Sequence, residues 1–423
     1  MISRRSFGLL KSAPNFRRLA VARFTSVFGS AFGPIALSFG VLQMPGGSPA
    51  ALSLVLACQA IPQLLFVLLG GVLGDRVRSR FRLITVTESA AAALWAVQAA
   101  LFYYNGPVVW MAVCAAAGGV TRALFSPALE GVVVDLVPQE DRQEANALLK
   151  VSTNTARLAG MALAGATVSV VGPAIALALD AVSFAVCSGI FASLGRAVPP
   201  RPVRYRGTVL ADLRQGWDEF RRHEWLWVTT SQLTLVIAVV NCVNGVLGPM
   251  LATQYLGGAW AWSAVMVAQV VGQIGGAGWA ARLRPARPML LATVCTAAAA
   301  LPALLLAAGA PLLLVVAGAL VSGVAWDVTM VMWRTCLQRE VPAEAISRVS
   351  SIDLLGCLAL APLALAVAGP LAAVFGPAVI AAGGAGLVVL AVGCALLSLD
   401  IRTLAGARRA GSGESDGEIA TAA

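Results

Sequence analysis

Four ionisable residues stand in long apolar runs, where a charge costs at least about 2.5 kcal/mol on insertion scales: Arg122, Arg157, Asp180 and Asp327. A carboxylate held at that depth can carry a proton, and an arginine can hold either a carboxylate or an anionic solute group. Arg122, Ser126 and Glu130 recur every four residues, so on a helix they form one polar stripe that must avoid lipid. Amides and hydroxyls add to the polar inventory: Ser30, Gln59, Gln63, Gln232, Asn241, Asn244, Gln269 and Gln273. Asp327, Glu130 and Asp180 are the candidates for proton coupling. Arg122, Ser126, Ser30, Gln59, Asn241, Asn244, Trp326 and Gln273 are the candidates for lining a solute path.

Other chemistries lack material. His223 is the only histidine, so a histidine-based metal site, triad or proton relay has almost no material to be made from. None of the eight cysteines forms a CxxC pair. No GxxxxGK[ST] phosphate loop occurs, and Lys11 and Lys150 are the only lysines. No cofactor is expected. A membrane-embedded transferase would need clustered acidic or histidine residues of the DxxxD or HxxxH kind, and these are absent.

The elements that position these residues are membrane helices. Of the 423 residues 59% are hydrophobic and 12% charged, about half the charge of a soluble domain. The net charge of +10 is dispersed among apolar runs rather than gathered on one face, so lipid headgroups fit it better than nucleic acid. Twelve spans of suitable length are expected. They run over 19–42, 50–73, 83–103, 107–134, 147–171, 173–194, 226–247, 259–280, 288–308, 311–331, 351–374 and 377–397. Alternate connections (QMPGGSPA, YNGP, VVGP, YLGGAW, AGAP, VFGP) carry no Lys or Arg, whereas Arg76, Arg78, Arg80, Arg82, Arg282, Arg284 and Arg287 crowd the others. The positive-inside rule makes both termini cytoplasmic and the location the cell membrane. Arg23, Glu88 and Asp353 fall within about two turns of that side and are expected at the interface.

A shift of 204 residues superposes Gly71 on Gly275, Gly74 on Gly278, Pro107 on Pro311, Gly119 on Gly323, Gly165 on Gly369, and Gly172–Pro173 on Gly376–Pro377. Six spans separate the copies, so sidedness is kept and the halves are parallel repeats about an axis along the membrane normal. The expected organisation is a cytoplasmic segment 1–18, a six-helix bundle 19–195, a linker 196–224 with an interfacial helix, a second bundle 225–399, and a disordered tail 400–423. In the linker Leu210, Leu213, Trp217 and Phe220 share a helical face.

The loop after the second span, GGVLGDRVRSRFRLI, resembles the loop motif of the major facilitator superfamily, with Gly71, Asp75 and Arg76 in its first positions and Arg78 in place of its second glycine. The stretch RALFSPALEGVVVDLVPQEDRQEANAL resembles the branch holding macrolide efflux proteins and the enterobactin exporter, through Pro127, Val137, Pro138 and Asn146. The glycine-proline motif of antiporters is partly matched, with Met161 at its proline. The resemblance implies the major facilitator fold, twelve helices in two pseudo-symmetric bundles, acting as a monomer. It implies proton-coupled export of a small amphipathic or lipophilic compound such as a drug, macrolide or siderophore. Import of a metabolite and a channel are the alternatives. It also implies a cytoplasmic gate in which Gly71, Asp75, Arg76 and Arg80 close on the amino end of the eleventh span near Ser350 and Ser351.

Two readings of the deep charges stay open. In one, Asp327 titrates while Arg122 pairs with it or holds an anionic group; in the other, the two form a permanent structural pair. Arg157 with Asp180 is expected as a second, structural pair.

Overall fold

The computed structural model describes residues 13–76, 79–130, 132–198 and 209–404, and the described residues are helical with no strand. In chain order the long helices are α1 (Pro14–Gln43), α2 (Pro49–Arg76), α3 (Arg80–Tyr103), α4 (Val108–Glu130), α5 (Arg142–Val171) and α6 (Pro173–Ala197). A joining helix covers Val209–Arg222. Then follow α7 (Glu224–Leu256), α8 (Ala259–Ala280), α9 (Pro288–Ala307), α10 (Leu312–Glu340), α11 (Arg348–Phe375) and α12 (Pro377–Ala395). Among the described residues ten of these are long and apolar enough to cross a membrane. The other two are α5 and α8. The first half of α5 is polar, and α8 is diluted by Gln269, Gln273, four glycines and three tryptophans.

Several helices run past their expected ends. α1 begins at Pro14, α5 at Arg142, α7 continues to Leu256 and α10 to Glu340. The tail beyond residue 404 and the linker residues 199–208 lie outside the described residues.

Prolines shape the helices by removing donors. Pro34 leaves the Ser30 carbonyl without its helical N–H, and α1 breaks at Ala31. Pro249 likewise releases the Gly245 carbonyl, between the π-turns Val243–Leu247 and Ala252–Leu256. The Ser38 hydroxyl of α1 donates to that carbonyl at 3.0 Å, so the freed acceptor is satisfied by a neighbouring helix. Turns α5–α6 and α11–α12 pivot on Gly172 (φ 89°) and Gly376 (φ 85°), each followed by proline; only glycine takes that backbone without strain.

The chain divides into two compact units. The first comprises Met1–Val209, Asn241–Val267 and Leu358–Ala381; the second comprises Leu210–Val240, Ala268–Cys357 and Ala382–Ala423. The boundary thus cuts α7, α8, α11 and α12. Within the first unit, α6 packs against α1 and α3, and α4 against α2.

Glycine contacts reveal the repeat and correct its register. A Cβ on Gly119 of α4 would lie 2.1 Å from the Gln59 carbonyl oxygen and 3.2 Å from the Gln63 nitrogen. A Cβ on Gly323 of α10 would lie 2.1 Å from the Gln269 carbonyl oxygen and 3.0 Å from the Gln273 nitrogen. Gly119 and Gly323 are 204 residues apart, but their partners are 210 apart. The single shift of 204 is therefore wrong for α2 and α8: Gln59 matches Gln269, and Gly71 does not match Gly275. The first unit repeats this relation in its own packing. Gly165 of α5 seats on Ser263 and the Ala259 carbonyl of α8, and Gly369 of α11 seats on Ser53 and the Pro49 carbonyl of α2. Ser263 donates to the Met161 carbonyl, and Ser53 accepts from the Gly369 N–H at 2.6 Å.

The joining helix lays Phe220 (4% exposed) into a cluster with Trp225, Val349 and Ile352, and Gly216 closes on Arg348. Trp217, stacked on Phe220, stays half exposed. One face of this helix is thus committed to the start of α11.

Candidate functional site

The polar centre of the first unit is built on α6. Asp180 is fully buried (0% exposed), and its Oδ2 has no hydrogen-bond partner. One turn on, the Ser183 hydroxyl donates to the Asp180 carbonyl at 2.8 Å and lies 3.4 Å from Oδ1. α1 reaches this carboxylate with glycines. A Cβ on Gly29 would collide with Ser183, and one on Gly33 would sit 3.1 Å from Asp180 Oδ2 and 3.0 Å from the Trp95 ring of α3. Gly29 and Gly33 lie either side of the break at Ala31, so the helix bends where it touches the acid.

The positive charge acting on Asp180 comes from Arg122 of α4. Arg122 lies fourteen residues into its helix, about 21 Å from the Val108 end, and still keeps exposed surface. An exposed arginine at that depth needs a polar recess, since lipid contact would be untenable. From the sequence, Arg122 either pairs with Asp327 or holds an anionic group, and Arg157 pairs with Asp180; the structure sets the charge of Arg122 against Asp180.

A second carboxylate is buried nearby. Glu88 of α3 is 2% exposed, not interfacial as expected, because α1 and α6 both cover it. Ser26 of α1 and Cys187 of α6 lie against it, and Arg23 of α1 supplies the opposing charge. Its Oε2 is buried without a partner. Glu88 and Asp180 also feel each other's charge.

Beside this cluster, Leu37, Gln59, Trp95, Gln98, Cys114 and Gly118 line a cavity of about 10 Å³, room for one water. Gln98 donates to the Met111 carbonyl at 3.4 Å while its Oε1 has no partner, the kind of acceptor a single water satisfies. Gln59, expected on a solute path, is among the residues that line this small space.

The remaining candidates are spread more widely. Ser30 is half-buried beside the α1 break; on α7, Asn241 is half-buried just before the first π-turn and Asn244 within it. Trp326, Asp327 and Gln273 are half-buried in the second unit. Gln232 is buried and bridges to Thr293 and Thr296 of α9, a helix tie. The side chains of Ser126, Glu130, Gly71, Asp75 and Arg76 lie outside the described residues. Arg80 is described, and it pairs with Asp135 at 3.7 Å. In the second unit Asp353 (7% exposed) accepts from Thr230 at 2.6 Å, so it too is buried rather than interfacial.

Sequence reasoning found Asp180 and Arg122 but missed Glu88. The signal was there: Ser26 and Glu88 fall at similar depth in the first and third spans, with Cys187 level with them on α6.

Comparison with known proteins fits this architecture. The family profile described as Major Facilitator Superfamily matches residues 19–361. The chain belongs to that superfamily. It is an integral, multi-pass membrane transporter and not an enzyme. Among solved structures it is similar to a crystal structure of the nucleoside transporter NupG, with a TM-score of 0.73, 13% identity, and cover of 90% of this chain and 99% of that one. It is similar to a POT family transporter in complex with 5-aminolevulinic acid, with a TM-score of 0.70, 10% identity, and cover of 91% and 96%. A bacterial homolog of the human lysosomal transporter Spinster gives 0.61, 14%, 92% and 96%. At these identities the likeness is one of fold. No curated protein matches the chain in sequence.

Proposed function

We propose that this superfamily member is a proton-coupled secondary transporter, with Asp180 as the proton-carrying carboxylate and Arg122 as its counter-charge. The observation that carries the reading is the fully buried Asp180, with one oxygen lacking any donor and an arginine charge set against it from another helix. An ionised carboxylate in that state is costly, whereas a protonated one satisfies itself more cheaply. Loss of the proton strengthens the attraction to Arg122, and gain of the proton relaxes it. Because α1 bends against the acid, this change in attraction acts on a helix already broken at Ala31.

The twelve helices span the cell membrane with the arginine-bearing ends and both termini in the cytoplasm, in keeping with the charge-free alternate loops. The protein works as a monomer by alternating access. The likeness of the 122–148 segment to macrolide and enterobactin exporters supports outward transport of a small amphipathic or lipophilic compound. Asp327 and Glu130, the other proton candidates, are secondary to Asp180 in this reading. The gate role of Gly71, Asp75, Arg76 and Arg80 rests on the motif alone.

The test is a solute panel on proteoliposomes bearing a pH gradient, read by an internal pH dye. Macrolides and catecholate siderophores form the lipophilic arm; nucleosides and 5-aminolevulinic acid, after the structural neighbours, form the hydrophilic arm. Proton efflux or influx evoked by a member of the first arm, with solute moving against the proton, supports export. Co-movement of solute and proton for the second arm replaces export with uptake. Solute flux with no proton movement removes the coupling.

A further inference from the structure

We propose that Glu88 is the second proton site of this transporter, the carboxylate through which the proton on Asp180 reaches the cytoplasmic side; this deepens the reading of Asp180 above and rests on it.

Glu88 stands eight residues into α3, about 12 Å from its arginine-bearing end at Arg80. Asp180 stands seven residues into α6, about 10 Å from the opposite, charge-free end at Pro173. The α6 neighbour of Glu88 is Cys187, two turns beyond Asp180, a rise of about 10 Å. These three steps together cover a hydrocarbon core of about 30 Å. The two carboxylates therefore divide the thickness of the first bundle between them.

The residues between them form one face. Asp180, Ser183 and Cys187 follow each other at helical spacing on α6, and Ser26, Gly29 and Gly33 do so on α1 opposite. Ser183 touches Asp180, Cys187 and Ser26 touch Glu88, and Gly29 lies against Ser183. The charges acting on the two acids come from the same bundle: Arg23 from α1 on Glu88, and Arg122 from α4 and Glu88 from α3 on Asp180.

Each acid also retains one buried oxygen with no donor. Two such oxygens within one hydrogen-bonding face, each opposed by its own arginine, suit two sites that exchange one proton. A structural ion pair would have used those lone pairs.

The step is a proton transfer. The O–H bond of protonated Asp180 breaks, its electron pair stays on the Asp180 carboxylate facing Arg122, and an O–H bond forms on Glu88, which had been the anion facing Arg23. The distance exceeds one hydrogen bond, so water carries the proton across. Glu88 then releases it to cytoplasmic water, and the total charge of the pair is unchanged by the internal step.

The test needs no solute. Purified protein is reconstituted in sealed vesicles with its arginine-bearing side outward, and the external medium is jumped from about pH 5 to about pH 9. Infrared difference spectra follow the carbonyl stretch of protonated carboxyl groups, assigned with Asp180→Asn and Glu88→Gln. In the parent both bands decay together. In Glu88→Gln the Asp180 band persists at least tenfold longer, a modest part of the 10²–10⁴ that a positioned acid or base supplies. Glu88→Asp restores most of the rate, which separates a proton role from a folding defect. Equal Asp180 decay in Glu88→Gln and parent overturns the Glu88 assignment while leaving Asp180 in place. If the parent shows no band that Asp180→Asn removes, the Asp180 reading itself is overturned.

Discussion

Asp180 and Glu88 in the first unit, and Asp353 in the second, are all buried carboxylates in membrane helices, yet they are held differently. Asp353 is clasped by neutral donors: Thr230 at 2.6 Å and the Cys357 thiol at 3.8 Å, joining α7 to α11. Asp180 and Glu88 instead face arginines and each other, and each has an oxygen left over. A carboxylate held through one oxygen by neutral donors, with no arginine set against it, is a tie between helices. A carboxylate with a counter-charge and an unused lone pair is suited to change its charge.

The sharpest way to break that contrast is to neutralise both kinds. Asp180→Asn is expected to lower solute-evoked proton flux at least about 100-fold in proteoliposomes. Asp353→Asn is expected to leave flux within about threefold while lowering stability by about 1–3 kcal/mol, read by denaturation in detergent. Equal flux losses in the two variants would erase the distinction.

Arg122 offers the next largest effect. Arg122→Ala is expected to reduce coupled flux about tenfold or more, with Arg122→Lys recovering part of it, since a point charge still opposes Asp180 but lacks the planar fork. Full activity in Arg122→Ala would leave Asp180 without its proposed counter-charge.

Two alanine substitutions at glycines set the contact between α1 and the acid against open space on α4. Gly33→Ala places a methyl 3.0 Å from Trp95 and 3.1 Å from Asp180, and is expected to slow transport several-fold and cost about 1–3 kcal/mol. Gly118→Ala meets nothing within 4 Å and is expected to be neutral or to stabilise α4 by about 0.5–1 kcal/mol. The smallest effect belongs to Thr230→Val, which removes one hydrogen bond to Asp353 and is expected to cost about 1 kcal/mol with flux unchanged.

Hydrophobic run length located the helices well, because burial in lipid demands it wherever the chain crosses. It missed the ends that carry charge, such as Arg142 at the start of α5 and Glu340 at the end of α10, where helices leave the apolar layer. The repeat was legible through Gly119, Gly165, Gly172 and their mates, since close backbone approach and positive φ both require glycine. The six-residue change of register at α2 and α8 was not legible there, because an insertion in a loop leaves the glycines on either side matched. Within the site, depth along a helix selected Asp180 and Arg122. Depth alone could not choose partners, since that depends on which helix faces which; it set Arg122 level with Asp327 and did not show that its charge acts on Asp180. Glu88 was discounted because closeness to a helix end does not reveal that α1 and α6 cover it.

The most direct test of Asp180 separates exchange from accumulation, using the solute that the panel identifies. A carrier whose proton site is neutralised still swaps labelled for unlabelled solute across the membrane, but cannot use a pH gradient to concentrate it. The account predicts that Asp180→Asn keeps equilibrium exchange near the parent rate and loses pH-driven accumulation, while Asp353→Asn keeps both. Accumulation in Asp180→Asn equal to the parent would contradict it.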